Sequence, residues 1–184
     1  MFSKVFSAAT YGIDAFVVEV ETHFDRKLPS FTIVGLPDNA VKESRERVSA
    51  AIINSGFEFP VIKITVNLAP ADIRKEGSSF DLPIAIGLLA TSGIVKDTLL
   101  NDTIILGELA LDGVLRKVHG GLPIAVEAKK LGYKRVIMPI DSIKEASIVD
   151  GIDVYGMNNL SEVVNFLNGE TDQQPVITSL DEIF

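Results

Sequence analysis

Cysteine is absent from the 184-residue chain, which excludes disulfides, thiolate zinc sites and a cysteine nucleophile. Histidine is scarce: His23 and His119 lie far apart, neither has a metal-ligand neighbour at helical spacing, and both read as surface or loop residues. No apolar run approaches the ~18 residues that a membrane-spanning helix needs. The opening "MFSKVFSAATYGID" also lacks the long apolar core and small-residue cleavage site of a leader peptide. A soluble, cytoplasmic protein with no membrane partner is therefore expected. Positive charge is in deficit, with 17 Lys and Arg against 25 Asp and Glu and a net charge of -8. That balance repels phosphate backbones on average and argues against a broad nucleic-acid groove, while leaving room for a local basic patch. There is no "GxxxxGK[ST]" loop to cradle ATP phosphates, so this chain alone is not expected to hydrolyse ATP. No 20-to-50-residue period and no low-complexity tract occurs.

What is present is apolar: 47% of the residues are hydrophobic, enough for one compact domain with a tail. "AFVVEVETHF" (15–24) and "SFTIVG" (30–35) are rich in β-branched and aromatic residues, and the intervening "DRKLP" predicts that they pair as a hairpin. From Asp38 the period changes to helical, with Val41, Val48, Ala51 and Ile52 on one side, Asp38 as the cap and Asn54-Ser55-Gly56 as the stop. The charges of "KESRER" then read as a solvated face supported by a weak Glu43–Arg47 pair. "VIKITVNLAPAD" (61–72) alternates as a half-buried strand does, and Pro70 ends it.

The segment from Asp81 to Gly93 is apolar around most of its circumference, which predicts a central helix, with Asp81 as N-cap and Pro83 in the first turn. Beyond it, "DTIILGELAL", "KRVIMP" and "IDVYGM" read as strands, and "GGLPIAVEAKKLG", "SIKEASIVDG" and "LSEVVNFLNG" as helices. Helices over a mixed sheet of about five to seven strands follow. "ETDQQPVITSLDEIF" (170–184) is polar and reads as a linker.

Few stretches suggest chemistry. Ser79, in "KEGSSFDLPIAIGLLA", lies just before a helix start, whose amides could serve as an oxyanion site if a base took the serine proton. Asp72, Glu76 and Asp81 are near enough in sequence to gather round a hard cation, although capping and solvation account for them more simply.

The blocks "FTIVGLPDNAVKESRERVSAAI", "TVNLAPADIRKEGSSFDLPIAIGLLA", "ILGELALDGVLRKVHGGLPIA" and "GYKRVIMP" resemble the N-terminal region of the bacterial ComM/YifB proteins, often called magnesium-chelatase-like. More distantly, they are similar to the proteolytic domain of Lon and the C-terminal domain of RadA. The resemblance runs over residues 1 to about 168. It implies a two-layer α/β fold of the ribosomal-protein and Lon-proteolytic-domain type, followed at 169–184 by a linker toward an AAA+ module. Within Lon-like peptidases Ser79 would be the nucleophile, and its lysine partner follows a "GGL" triplet. Here that triplet is Gly120-Gly121-Leu122 and the next residue is Pro123, which has no amine. The catalytic pair is therefore expected to be absent, unless Lys75, Lys117 or His119 folds close to Ser79 as a substitute base.

The resemblance further implies a noncatalytic assembly or interaction domain of a ring-shaped, hexameric motor. ATP and Mg2+ would be bound by the AAA+ module and not by this chain, and the associated process is DNA branch migration in natural transformation. The short basic stretches "RKVHGG" (116–121) and "IRKEG" (73–77) are candidate DNA contacts. The enzyme-class alternative is a Lon-like serine peptidase that uses Ser79 with a relocated base.

Overall fold

In a computed structural model, which describes residues 1–179 and 181, a seven-stranded mixed sheet organises the chain. Strands β1 (Phe2–Tyr11) and β2 (Asp14–Asp25) form a long antiparallel hairpin closed at Gly12, whose φ of 63° suits a residue without Cβ. Strand β3 (Ser30–Val34) does not pair with β2, contrary to the expected hairpin of 15–24 with 30–35. It lies parallel to β4 (Lys63–Ala69), and β4 in turn pairs antiparallel with β2. The physical reason is competition: the ten-residue β1 takes one edge of β2 over its full length, and β4 takes the other.

The second half of the sheet is parallel. Strand β5 (Thr103–Ile105) pairs with β1, β8 (Arg135–Pro139) with β5, and β9 (Asp153–Met157) with β8, so β3 and β9 are the two edges. "DTIILGELAL" is not one strand: it breaks after Ile105 and resumes as β6 (Glu108–Leu109), which forms a small ribbon with β7 (Leu115–Arg116). At that break the Leu106 amide donates to Ile137 and the Gly107 amide turns to Ser79.

The helical stretch after Asp38 is also divided, into α1 (Asn39–Lys42) and α2 (Ser44–Asn54), with Glu43 between them. Asp38 caps α1 by accepting from the Val41 amide at 2.8 Å, and α2 ends at Ser55-Gly56 as the sequence predicts. Helix α3 (Asp81–Thr91) is buried from Asp81 through Leu89 and packs on β1 and β2. Gly87 permits the approach, because a Cβ there would lie 2.7 Å from the Thr22 hydroxyl. Helices α4 (Gly121–Lys130), α5 (Ile143–Ala146) and α6 (Leu160–Leu167) complete the chain.

Strand alternation divides the apolar residues between the two faces. Val5, Val20, Val66, Ile137 and Met157 face α2, α3 and α6 in the larger core. Ala8, Ile104, Val136, Met138 and Val154 meet α4 and α5 in a smaller one. The predicted α/β class, with helices on a mixed sheet, is the one observed. No helix among the described residues is long and apolar enough to cross a membrane.

Beyond α6, residues 173–178 run along the outer edge of β9. The Val176 amide donates to the Val154 carbonyl at 2.8 Å, and the Gln173 side-chain amide donates to Gly156 at 2.8 Å. Of the stretch read as a linker, residues 180 and 182–184 lie outside the described residues.

Candidate functional site

Two loops that are distant in sequence converge beside Ser79. A cleft of about 490 Å3 is lined by Arg74, Glu76, Ser78 and Ser79 from the loop before α3, by Lys117 and His119 from the loop before α4, and by Glu108 at β6. Thr10 and Tyr11, at the end of β1, form part of its wall. The basic stretches 73–77 and 116–121 therefore meet at one place, although 38 residues separate them in the chain. His23 takes no part; it is exposed on β2 opposite Phe2.

Ser79 itself is half-buried, and its carbonyl accepts from the Gly107 amide at 2.9 Å. The neighbouring Ser78 hydroxyl donates to Glu108 at 2.7 Å. Helix α3 begins at Asp81 with Phe80 in the cap position, so Asp81 is not the N-cap that its place in the sequence suggests. Two of the helix-start amides that could form an oxyanion site are already spent, and a third residue has none to give. Asp81 N–H donates to Ser78 at 3.2 Å, Leu82 N–H donates to Gly107 at 3.0 Å, and Pro83 has no N–H.

Asp81 points away from the cleft into the core. Its carboxylate is fully buried and accepts from Arg47 Nε at 2.7 Å, Arg47 Nη2 at 3.1 Å, the Ser44 hydroxyl at 2.5 Å and the Leu109 amide at 3.0 Å. Burial pushes this carboxyl above the usual carboxylate range, and the donors from Arg47, Ser44 and Leu109 oppose the push. Its hydrogen bond to Asp81 raises the Arg47 guanidinium further, so Arg47 carries its charge at any working pH. This corrects the reading of "KESRER" as wholly solvated: Ser44 and Arg47 turn inward, whereas Glu43 stays exposed and meets Arg47 at 3.7 Å. It also separates Asp81 from Glu76, which is exposed beside Arg74 at 3.7 Å. Among the described residues no three His, Cys, Asp or Glu side chains gather as a metal site.

The three candidate substitute bases divide. Lys75 is fully buried, and its amine donates to the carbonyls of Gly35, at 2.8 Å, and Pro70. Burial holds that amine below its ordinary value. It is a water-shielded lysine of the kind a serine peptidase would use, but it ties the 69–75 loop to the 35–37 turn instead. The Lys75 amide, donating to Leu36 at 2.9 Å, and the Lys75 carbonyl, accepting from Asp38 at 3.0 Å, strengthen the same tie. Lys117 and His119 do line the cleft with Ser79, and both are exposed. Pro123 occupies the first turn of α4, after the left-handed Gly120 cap.

Sequence reading missed Glu108 and the Ser44–Arg47–Asp81 cluster. A signal existed for each: Glu108 is a lone carboxylate inside the apolar run "IILGELAL", and Asp81 directly abuts a helix with no solvated face.

A family model described as subunit ChlI of Mg-chelatase matches residues 20–142. The chain is 43% identical over 176 residues to the competence protein ComM of Haemophilus influenzae, a match covering 96% of this chain and 34% of that protein. It is 46% identical over 168 residues to the YifB protein of Escherichia coli, covering 91% and 33%. Lon protease 2 of Bacillus subtilis is 29% identical over 138 residues, covering 73% and 24%. The chain spans about a third of the length of the ComM and YifB relatives it matches.

Proposed function

We propose that this chain, which belongs to the Mg-chelatase subunit ChlI family and is related to ComM and YifB, is a noncatalytic interaction domain that retains a Lon-like cleft without its bond-cutting pair. The observation that carries this reading is the fate of the amines. Pro123 stands where the resemblance places the dyad lysine, and the fully buried Lys75 spends its amine on two main-chain carbonyls. A serine hydroxyl stays a poor nucleophile without a base to take its proton. The occupied Asp81 and Leu82 amides support the same reading, since they leave a developing oxyanion without those donors.

In this proposal residues 1–168 serve a longer, cytoplasmic AAA+ protein of the ComM type, assembled as a hexameric ring and engaged in DNA branch migration during natural transformation. In the same proposal ATP and Mg2+ would be bound by an AAA+ module of that longer protein. Arg74, Lys117 and His119, brought to one cleft, are the side chains that would touch a phosphate backbone. Glu76 and Glu108 share that cleft and limit the contact to a local one.

The second reading, a Lon-like serine peptidase with a relocated base, is favoured by the presence of Lys117 and His119 in the cleft of Ser79. The two are separated by treating the intact protein with a serine-directed fluorophosphonate probe. No labelling that depends on Ser79 is expected, and labelling lost in Ser79→Ala would establish the peptidase. DNA-stimulated ATP hydrolysis by the longer parent should persist in the same variant.

A further inference from the structure

The stretch 173–178 is held at both of its ends. Gln173 and Val176 bind the outer side of β9, and farther on the Thr178 amide donates to the Ser147 carbonyl at 3.4 Å while the two hydroxyls share a hydrogen bond of 2.6 Å. Ser147 is the C-cap of α5 and is itself buried. At the other end of this short helix, the Ser142 hydroxyl accepts from the Val118 amide at 2.9 Å. That bond fixes the loop whose neighbouring residues, Lys117 and His119, line the Ser79 cleft. Helix α5 also abuts the start of α4, where a Cβ on Gly121 would lie 3.3 Å from the Ser142 carbonyl oxygen and 3.5 Å from the Ala146 Cβ. A shift of α5 has no slack to absorb it on that side, because packed interiors transmit displacement.

We propose that the 173–178 strap is a coupling device: by seating on β9 and on the C-cap of α5 it sets the position of the 116–120 loop, so that release of the strap loosens the Lys117 and His119 side of the cleft. The coupling holds whatever the cleft binds, and so stands apart from the functional reading above. In a longer chain, tension on the segment after residue 178 would be felt at the cleft through one short helix. The strap also covers the open edge of β9, which would otherwise present unpaired main-chain groups.

Amide hydrogen exchange on the full chain tests this. Val176→Pro removes the amide that binds Val154, and Thr178→Val removes the hydroxyl bonded to Ser147. In each variant exchange at Val118 should rise about 5-fold or more, the lower end of ordinary site-to-site coupling, with β1 and β2 unchanged. Unchanged Val118 exchange, with the β9 edge alone loosened, would overturn the proposal and leave the strap as an edge cover. If exchange rises everywhere alike, Ser142→Ala decides. Coupling is reciprocal, so freeing the loop must raise exchange at Val176 by a similar factor, and an unmoved Val176 refutes the device.

Discussion

Ser79 and Asp81 stand two residues apart at the start of one helix, and their surroundings are opposite. Ser79 lines a cleft that it shares with the exposed Arg74, Glu76, Lys117 and His119, whereas Asp81 is buried among four donors from α2 and β6. The lysine pair repeats the contrast: Lys75 is sealed against two carbonyls, and Lys117 stands at the cleft mouth. Asp81 and Lys75 are drawn into holding loops together. An uncompensated buried charge is costly, so a buried carboxylate or amine is given its partners, and partners given to structure are withdrawn from chemistry.

Breaking the buried side should have the largest effect. Asp81→Ala strands the Arg47 guanidinium, the Ser44 hydroxyl and the Leu109 amide together, and should cost about 3–5 kcal/mol in urea unfolding. A loss below 1 kcal/mol would mean that the cluster contributes little beyond packing.

Lys75→Met comes next, at about 1–3 kcal/mol, because the Gly35 and Pro70 carbonyls lose the donor that ties their two loops together. It also carries a pH signature. Between the lowered folded value of this amine and its ordinary 10.5, the unfolded chain holds more protons than the folded one, so wild-type stability rises with pH through that window. The rise should vanish in Lys75→Met, and a slope that survives the substitution would assign it to other groups. Ser79→Ala, on the open side, should change stability by no more than about 0.5 kcal/mol, since its hydroxyl caps nothing. A larger loss would show that Ser79 belongs with Asp81 after all.

Legibility in the sequence followed how local the cause was. Helix α3 was readable because its apolar residues surround the axis, and β4 because Ile64, Val66 and Leu68 alternate with Lys63, Thr65 and Asn67. The Asp38 cap and the Gly56 stop were readable because each acts on its own neighbours. Strand β1 escaped notice: "FSKVFSAATY" mixes small and polar residues, and it becomes a strand by pairing with β2 along its whole length. The partner of β3 was misjudged for the same reason, since nothing in "SFTIV" says which edge it will find. Of the site, Ser79 and the two basic loops were visible as residue types, but their convergence was not.

The sequence by itself determined the α/β class, the central helix and the absence of thiol chemistry, because each depends on the kind of residue present and on its near neighbours. Tertiary structure alone decided that Lys75 is sealed away from Ser79, that Asp81 looks inward to Arg47, and that the strap meets α5. Those outcomes depend on which distant segments compete for the same donors, and a carbonyl or carboxylate takes whichever donor the fold delivers to it.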